Sequence, residues 1–256
     1  MGDLDTVFRS WQELALVSAV LGFAQMVYVM FGFGAGLIAV GTLAAILPDI
    51  QDVVVLLLLV SFPSEMIVVF TSWRTIRWKG ITRILVGVAI GIPLGTWLLG
   101  LGETLVVLAV LAVVLVLVGT GLVALPRHRA ITWPAWAEPP LGLVSGVLGG
   151  LYGTGGPPLI FYFQLRRVEK AAFRAHLMAI FLALTIVRLP SYAFSGLITE
   201  QRILSALAVA PAVLVGAFVG HRLHVEVAEE TFRRMVAIAL IVIGLVLVAR
   251  CFTGAW

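Results

Sequence analysis

Apolar residues fall along this chain in long unbroken runs, and polar residues gather in the short gaps between them. Runs of about 20 residues are what a helix needs to cross a hydrocarbon core of roughly 30 Å. Uninterrupted runs predict membrane spans at Val53–Ser72, Ile84–Leu101, Thr104–Leu125, Ala175–Phe194, Ile203–Gly220 and Met235–Phe252. Two further stretches are as apolar but broken. Trp11–Leu47 is cut at Gly32, Phe33, Gly34, Ala35 and Gly36, and Leu141–Leu165 at Gly153, Gly155, Gly156, Pro157 and Pro158. Glycine costs helix entropy, while proline removes an amide donor and clashes with the preceding turn. Neither stretch can continue as one helix. Hydrocarbon offers the freed backbone groups no partner, so breaks of this kind are kept where they line a cavity.

The order of one broken stretch and three spans occurs twice, at a shift of about 120 residues. Gly32 and Gly34 superpose on Gly153 and Gly155, Gly95 on Gly216, and TRIL at 82–85 on QRIL at 201–204. Residues 1–130 and 131–256 therefore read as two membrane repeats, with a linker at 126–140 rich in Trp and Pro. The plainer explanation is the shared Val, Leu and Gly content of membrane chains.

Loop charge orients the repeats. Basic loops at 73–83, 126–137, 166–174 and 221–234 belong in the cytoplasm, and the turns at Asp49/Asp52, Gly102-Glu103 and Glu200 outside. Residues 141–165 then begin and end on one side, as a re-entrant hairpin with arms of about ten residues, roughly 15 Å each. Residues 11–47 form a similar hairpin from the opposite face, with a longer first arm. The expected fold is all-α and polytopic: two inverted-topology repeats, each a broken re-entrant hairpin plus three transmembrane helices. Both termini are expected outside, with the two breaks meeting near the midplane. The competing layout treats the broken stretches as ordinary spans and makes the repeats parallel.

Composition agrees with membrane insertion and narrows the function. The chain is 61% hydrophobic and 12% charged, outside the range of soluble domains. Its net charge of +4 resides in loops, where it sets orientation in a cell membrane and gives no reason to expect nucleic acid. A single cysteine, Cys251, excludes an intrachain disulfide. The acidic N-terminus lacks a signal-peptide pattern. There is no phosphate-binding loop, zinc-ligand helix or serine elbow, so no enzyme, cofactor or metal is expected.

The candidate chemistry lies at the breaks. The second arm of each hairpin begins at about Gly36 and about Pro157, presenting free N–H groups and a positive dipole end to one central volume. Converging positive ends favour an anion. The candidate substrate-binding residues are Gly32, Gly34, Gly36, Gly153, Thr154, Gly155, Gly156 and Pro157, with Thr154 offering a hydroxyl. Close helix packing is the alternative use of the glycines. Glu65 and Arg188 stand near the middle of equivalent spans, where an ionised side chain is expensive. Arg188 could complete an anion site while Glu65 carries a coupling proton; the alternative is a structural ion pair. Gln25, Tyr28, Ser64, Thr185, Ser191 and Tyr192 could line a path or bond neighbouring helices. His176 reads as interfacial. Gly87, Gly91 and Gly95, and Ala212, Gly216 and Gly220, have the spacing of close packing.

The run GVLGGLYGTGGPP from Gly146 to Pro158 resembles the second-repeat motif of the TauE/SafE family of sulfite and organosulfonate exporters. GFGAG at 32–36 and the duplicated layout extend the resemblance over nearly the whole chain. The chain departs from the pattern at Ala35, where glycine is common, and near Gly41, where the first copy often has proline. The resemblance implies a secondary transporter moving a small anion such as sulfite or a sulfonate outward, driven by membrane potential or a proton gradient. An anion channel is the alternative, and a non-transporting membrane subunit a more distant one. Glu65 and scattered histidines make a poor catalytic set.

Overall fold

In a computed structural model the chain is described at residues 6–43, 47, 49–100, 104–124, 133–153 and 155–223. Beyond these it is described at 231, 234, 237, 238, 240–242, 244–246, 248 and 249. The helices are α1 (Trp11–Phe31), α2 (Ala35–Leu43), α3 (Ile50–Thr71), α4 (Thr82–Gly100), α5 (Thr104–Ala124), α6 (Glu138–Tyr152), α7 (Gly156–Leu165), α8 (Lys170–Phe194) and α9 (Glu200–Arg222). No strand occurs among the described residues. Of the described helices, α1, α3, α4, α8 and α9 are long and apolar enough to cross a membrane. Thr154, the Gly102-Glu103 turn, the 126–129 loop and much of the Met235–Phe252 span lie outside the described residues.

Caps set the boundaries. Ser10 accepts from the Glu13 amide at 3.1 Å, Asp49 from the Gln51 amide at 2.8 Å and Thr199 from the Arg202 amide at 3.3 Å, opening α1, α3 and α9. Both broken stretches end their first arm in the same way. Gly32 (φ 84°) and Gly153 (φ 70°) are left-handed caps whose amides return to the carbonyls of Tyr28 and Gly149.

The end of the 126–140 linker and the first arm of the second break need correction. Glu138, Pro139 and Pro140 form the first turn of α6, after a 3-10 turn at Ala135–Ala137. Prolines are tolerated there because first-turn amides have no intrahelical partner. Thus α6 has 15 residues, about 22 Å, and α1 has 21, about 31 Å, whereas α2 and α7 have nine and ten. Gly32 packs against Arg174 early in α8, and Gly153 against Arg188 farther along the same helix.

Polar contacts tie the helix ends together. At one end, the Val7 amide donates to Ser205 Oγ at 2.8 Å, and Gln201 donates to the Thr6 carbonyl. Arg202 there pairs with Asp49 at 2.9 Å and Asp52 at 2.7 Å, and donates to the Leu197 carbonyl. At the other end, Glu138 accepts from Tyr162 at 2.8 Å and pairs with Arg166 and Arg83. The Arg77 amide donates to His176 Nε2 at 3.0 Å, joining the exit of α3 to the entry of α8. The start of α3 thus stands beside the end of α8, and the end of α3 beside the start of α8, so the two helices run antiparallel.

Two helix pairs pack backbone to backbone. A Cβ at Gly91 of α4 would stand 2.3 Å from the Leu143 carbonyl oxygen of α6, and one at Gly142 would stand 2.0 Å from that of Ile84. In the other pair a Cβ at Gly216 of α9 would stand 2.0 Å from the Gly22 carbonyl oxygen of α1. Small residues allow this approach, which drives helix association where apolar burial cannot.

Candidate functional site

The two breaks open onto one cavity of about 40 Å³, between α3 and α8. One water needs about 10–15 Å³ by such a measure, so a few waters or a compact ion fit. Phe33, Gly34, Ala35 and Gly36 line it from the first break, and Gly153, Gly155, Gly156 and Pro157 from the second. Ser61 and Glu65 come from α3, Thr185 and Arg188 from α8, and Tyr28 from α1. The second arms begin at Ala35 and Gly156, each one residue before the expected position. Their first turns therefore stand at the cavity.

Most of the residues singled out in sequence come together here, but Gly32 is not on the lining. Its contribution is the left-handed cap, and a Cβ on it would stand 3.1 Å from the Arg174 Cα. Gly153 is both cap and wall. A Cβ there would stand 2.9 Å from Arg188 Nη1 and 3.2 Å from Leu57. Only glycine combines that φ with that proximity.

Arg188 is 5% exposed. Its Nη1 donates to the Gly149 carbonyl at 3.1 Å, and its guanidinium carbon lies 5.3 Å from the Tyr192 ring centroid. Tyr192 in turn donates to the Gly150 carbonyl at 2.6 Å. A cation at the carbonyl end of α6 is favourable, but this engages one edge of the fork. Among the described residues, Nε has no hydrogen-bond partner and no carboxylate lies within ion-pair distance. Glu65, 4% exposed, accepts from Tyr28 at 2.8 Å through Oε1, while Oε2 has no hydrogen-bond partner among the described residues. The two ionisable groups face the same cavity without forming a direct pair.

The other polar candidates divide. Tyr28 and Thr185 line the cavity, and Gln25 accepts from the lining Ser61 at 3.3 Å. Ser191 bonds back to the Val187 carbonyl on its own helix. His176 does not point out of the bundle. It is buried, with its ring stacked on Phe163 at 5.6 Å, because its Nε2 is the acceptor that holds the Arg77 backbone. Phe33, Ser61 and Phe181 belong to the lining and were missed. Helical spacing carried the signal, since Ser61 precedes Glu65 by four residues and Phe181 precedes Arg188 by seven.

Residues 17–247 match the family model described as "Sulfite exporter TauE/SafE". The chain is 29% identical over 194 residues to a "Probable inner membrane transporter protein TsaS" of Comamonas testosteroni, covering 74% of this chain and 80% of that protein. It is 25% identical over 233 residues to a "Probable sulfite/organosulfonate exporter TauE" of Cupriavidus necator, covering 89% and 91%. No solved structure matches it. A match over most of the length, on a helical membrane bundle with two glycine breaks at one cavity, places the chain in the TauE/SafE sulfite exporter family.

Proposed function

We propose that this chain is a secondary transporter of a small oxyanion such as sulfite or an organosulfonate, exporting it from the cytoplasm by alternating access. The observation that carries this is Arg188: a buried guanidinium whose Nε has no hydrogen-bond partner among the described residues, facing a cavity onto which two helix N-termini open. A buried charge needs compensation. Glu65 is on the wrong side of hydrogen-bond reach to supply it, and an anion in the cavity would meet both guanidinium and free amides. The relatives' names, one of them a probable sulfite/organosulfonate exporter, agree with that ligand class.

Inverted repeats supply the alternation. Helices α3 and α8 hold equivalent places in the two halves and run antiparallel, which supports a pseudo-two-fold axis in the membrane plane. The close pairs α1–α9 and α4–α6 are equivalents too, each joining the first arm of one half to the fourth helix of the other. Each broken stretch returns to the end it left, as a re-entrant hairpin does. Loop charge puts the end bearing Arg77, Arg83 and Arg166 in the cytoplasm. Glu65 then carries a coupling proton, held by Tyr28.

Solid-supported-membrane currents from proteoliposomes test the proposal, screened across sulfite, sulfonates, sulfate and carboxylates. Currents that saturate and respond to imposed ion gradients are expected for sulfite or a sulfonate. Absence of current and flux with every anion would refute transport, and a non-saturating conductance would make the protein a channel.

A further inference from the structure

At the end of the bundle where Arg77, Arg83 and Arg166 gather, a second cavity of about 400 Å³ lies between the α3–α4 and α7–α8 connections. Arg77, Arg166 and Arg167 line it, against a single carboxylate among the described lining residues, Glu169. Arg166 is engaged by Glu138, but the side chains of Arg77 and Arg167 have no described carboxylate within ion-pair distance. Phe163 and His176 also line the cavity, held in place by their mutual stacking and by the Arg77 amide. A concave surface with surplus positive charge concentrates anions and speeds their arrival.

Buried aromatic rings connect this cavity to the central one. Phe163 meets Phe173 edge to face at 6.3 Å, Phe173 meets Phe33 edge to face at 6.1 Å, and Phe33 lines the central cavity. The rings come from α7, from α8 and from the first break. Phe33 sits between Gly32 (φ 84°) and Gly34 (φ 105°), two residues whose backbone can turn where others cannot. Edge-to-face ring pairs are individually weak, whereas the glycine-packed pairs α4–α6 and α1–α9 leave no slack.

We propose that the basic cavity is a second, vestibular binding site for the same small oxyanions, and that Phe33, Phe173 and Phe163 are the gate between it and the central cavity. The proposal rests on the central cavity being the transport site. An anion collected by Arg77 and Arg167 passes to Arg188 when the Phe33 ring swings on its glycines.

The test is thiol labelling in proteoliposomes with Cys251→Ser and Ser61→Cys, which puts the thiol on the central cavity. The reagents are the anionic sulfonatoethyl and the cationic trimethylammonioethyl methanethiosulfonates, added at the basic end. Phe173→Ala should raise the labelling rate severalfold, while Phe173→Leu, which keeps the plug apolar and bulky, should leave it near the parent rate. Arg77→Gln with Arg167→Gln should lower the anionic reagent's advantage over the cationic one about tenfold. A rate unchanged by Phe173→Ala, or raised equally by Phe173→Leu, would overturn the gate. A charge preference unmoved by the arginine changes would overturn the vestibule. Labelling reports access whether or not sulfite moves, so the expected labelling without any anion flux would instead refute the central transport reading.

Discussion

Arg188 Nη1 lies 3.1 Å from the Gly149 carbonyl oxygen, the same oxygen that accepts the Gly153 amide at 2.9 Å. The guanidinium is therefore fastened to the turn that closes α6, with its Nε unpartnered among the described residues. Arg188→Lys keeps the charge but lacks the planar fork, so it cannot hold Gly149 and present a second donor edge together. Charge-assisted hydrogen bonds contribute about 1.5–3 kcal/mol, and losing one should weaken anion affinity ten- to a hundredfold. Both Arg188→Lys and Arg188→Gln should raise the half-saturating sulfite concentration by that factor in proteoliposome currents. Unchanged saturation in Arg188→Gln would remove this residue from the site.

The two capping glycines should separate stability from function. Alanine at either Gly32 or Gly153 forces an L side chain into left-handed backbone, costing roughly 1–2 kcal/mol. Thermal midpoints in detergent should fall for both. Only at Gly153 would the new Cβ also push on Arg188, 2.9 Å away. Gly153→Ala should lose most transport, and Gly32→Ala should transport once folded protein is normalised. Equal transport by the two variants would mean that the Gly153–Arg188 contact does not matter.

Much of this was legible because lipid imposes few solutions. The 53–72 and 84–101 runs each became a helix within a turn of the expected ends, and the proline cluster could only be a break. Glu65 and Arg188 stood out because charge is rare in such runs. What stayed hidden depends on tertiary contact. Nothing local in the sequence shows that Arg188 would choose a Gly149 carbonyl over Glu65, or that His176 would be buried by an amide 99 residues away. The α6 stripe of Gly142, Gly146 and Gly150 had the same four-residue spacing as its partner on α4, but it was masked by the glycines of the motif.

That stripe gives a packing test. Gly91→Ala would put a methyl 2.3 Å from the Leu143 carbonyl oxygen, backbone against backbone with nothing flexible to yield. Gly80, in the α3–α4 connection, has nothing within 4 Å of a Cβ. Gly91→Ala should cost about 1–3 kcal/mol, the range for overpacking, and lower the thermal midpoint, with Gly80→Ala near neutral. A stable Gly91→Ala would show that the α4–α6 pair can separate without loss.

Arg202 joins the start of α9 to the start of α3 through Asp52 at 2.7 Å and Asp49 at 2.9 Å. Asp52 is mostly buried, so removing the arginine strands a carboxylate, whereas removing both charges strands neither. Breaking a buried pair from one side costs about 3–5 kcal/mol, an upper bound here because Asp49 is partly solvated. In a double-mutant cycle Arg202→Met should destabilise strongly, and adding Asp52→Asn should recover part of the loss. Additive effects in urea unfolding would show that the pair is not coupled.

Glu65 offers the sharpest division between coupling and structure. Its Oε1 accepts from Tyr28 at 2.8 Å, a bond that a glutamine carbonyl can also accept, so Glu65→Gln should fold with the cavity intact. Glutamine cannot bind and release a proton. If Glu65 carries the coupling proton, the variant should still exchange labelled sulfite across the membrane down its concentration gradient. It should fail to accumulate sulfite when only a pH difference is imposed. Proteoliposomes loaded at one pH and diluted into another measure both on the same preparation. Accumulation driven by pH in Glu65→Gln would show that the proton travels elsewhere. Loss of exchange together with coupling would assign Glu65 to holding Tyr28 and the first break in place.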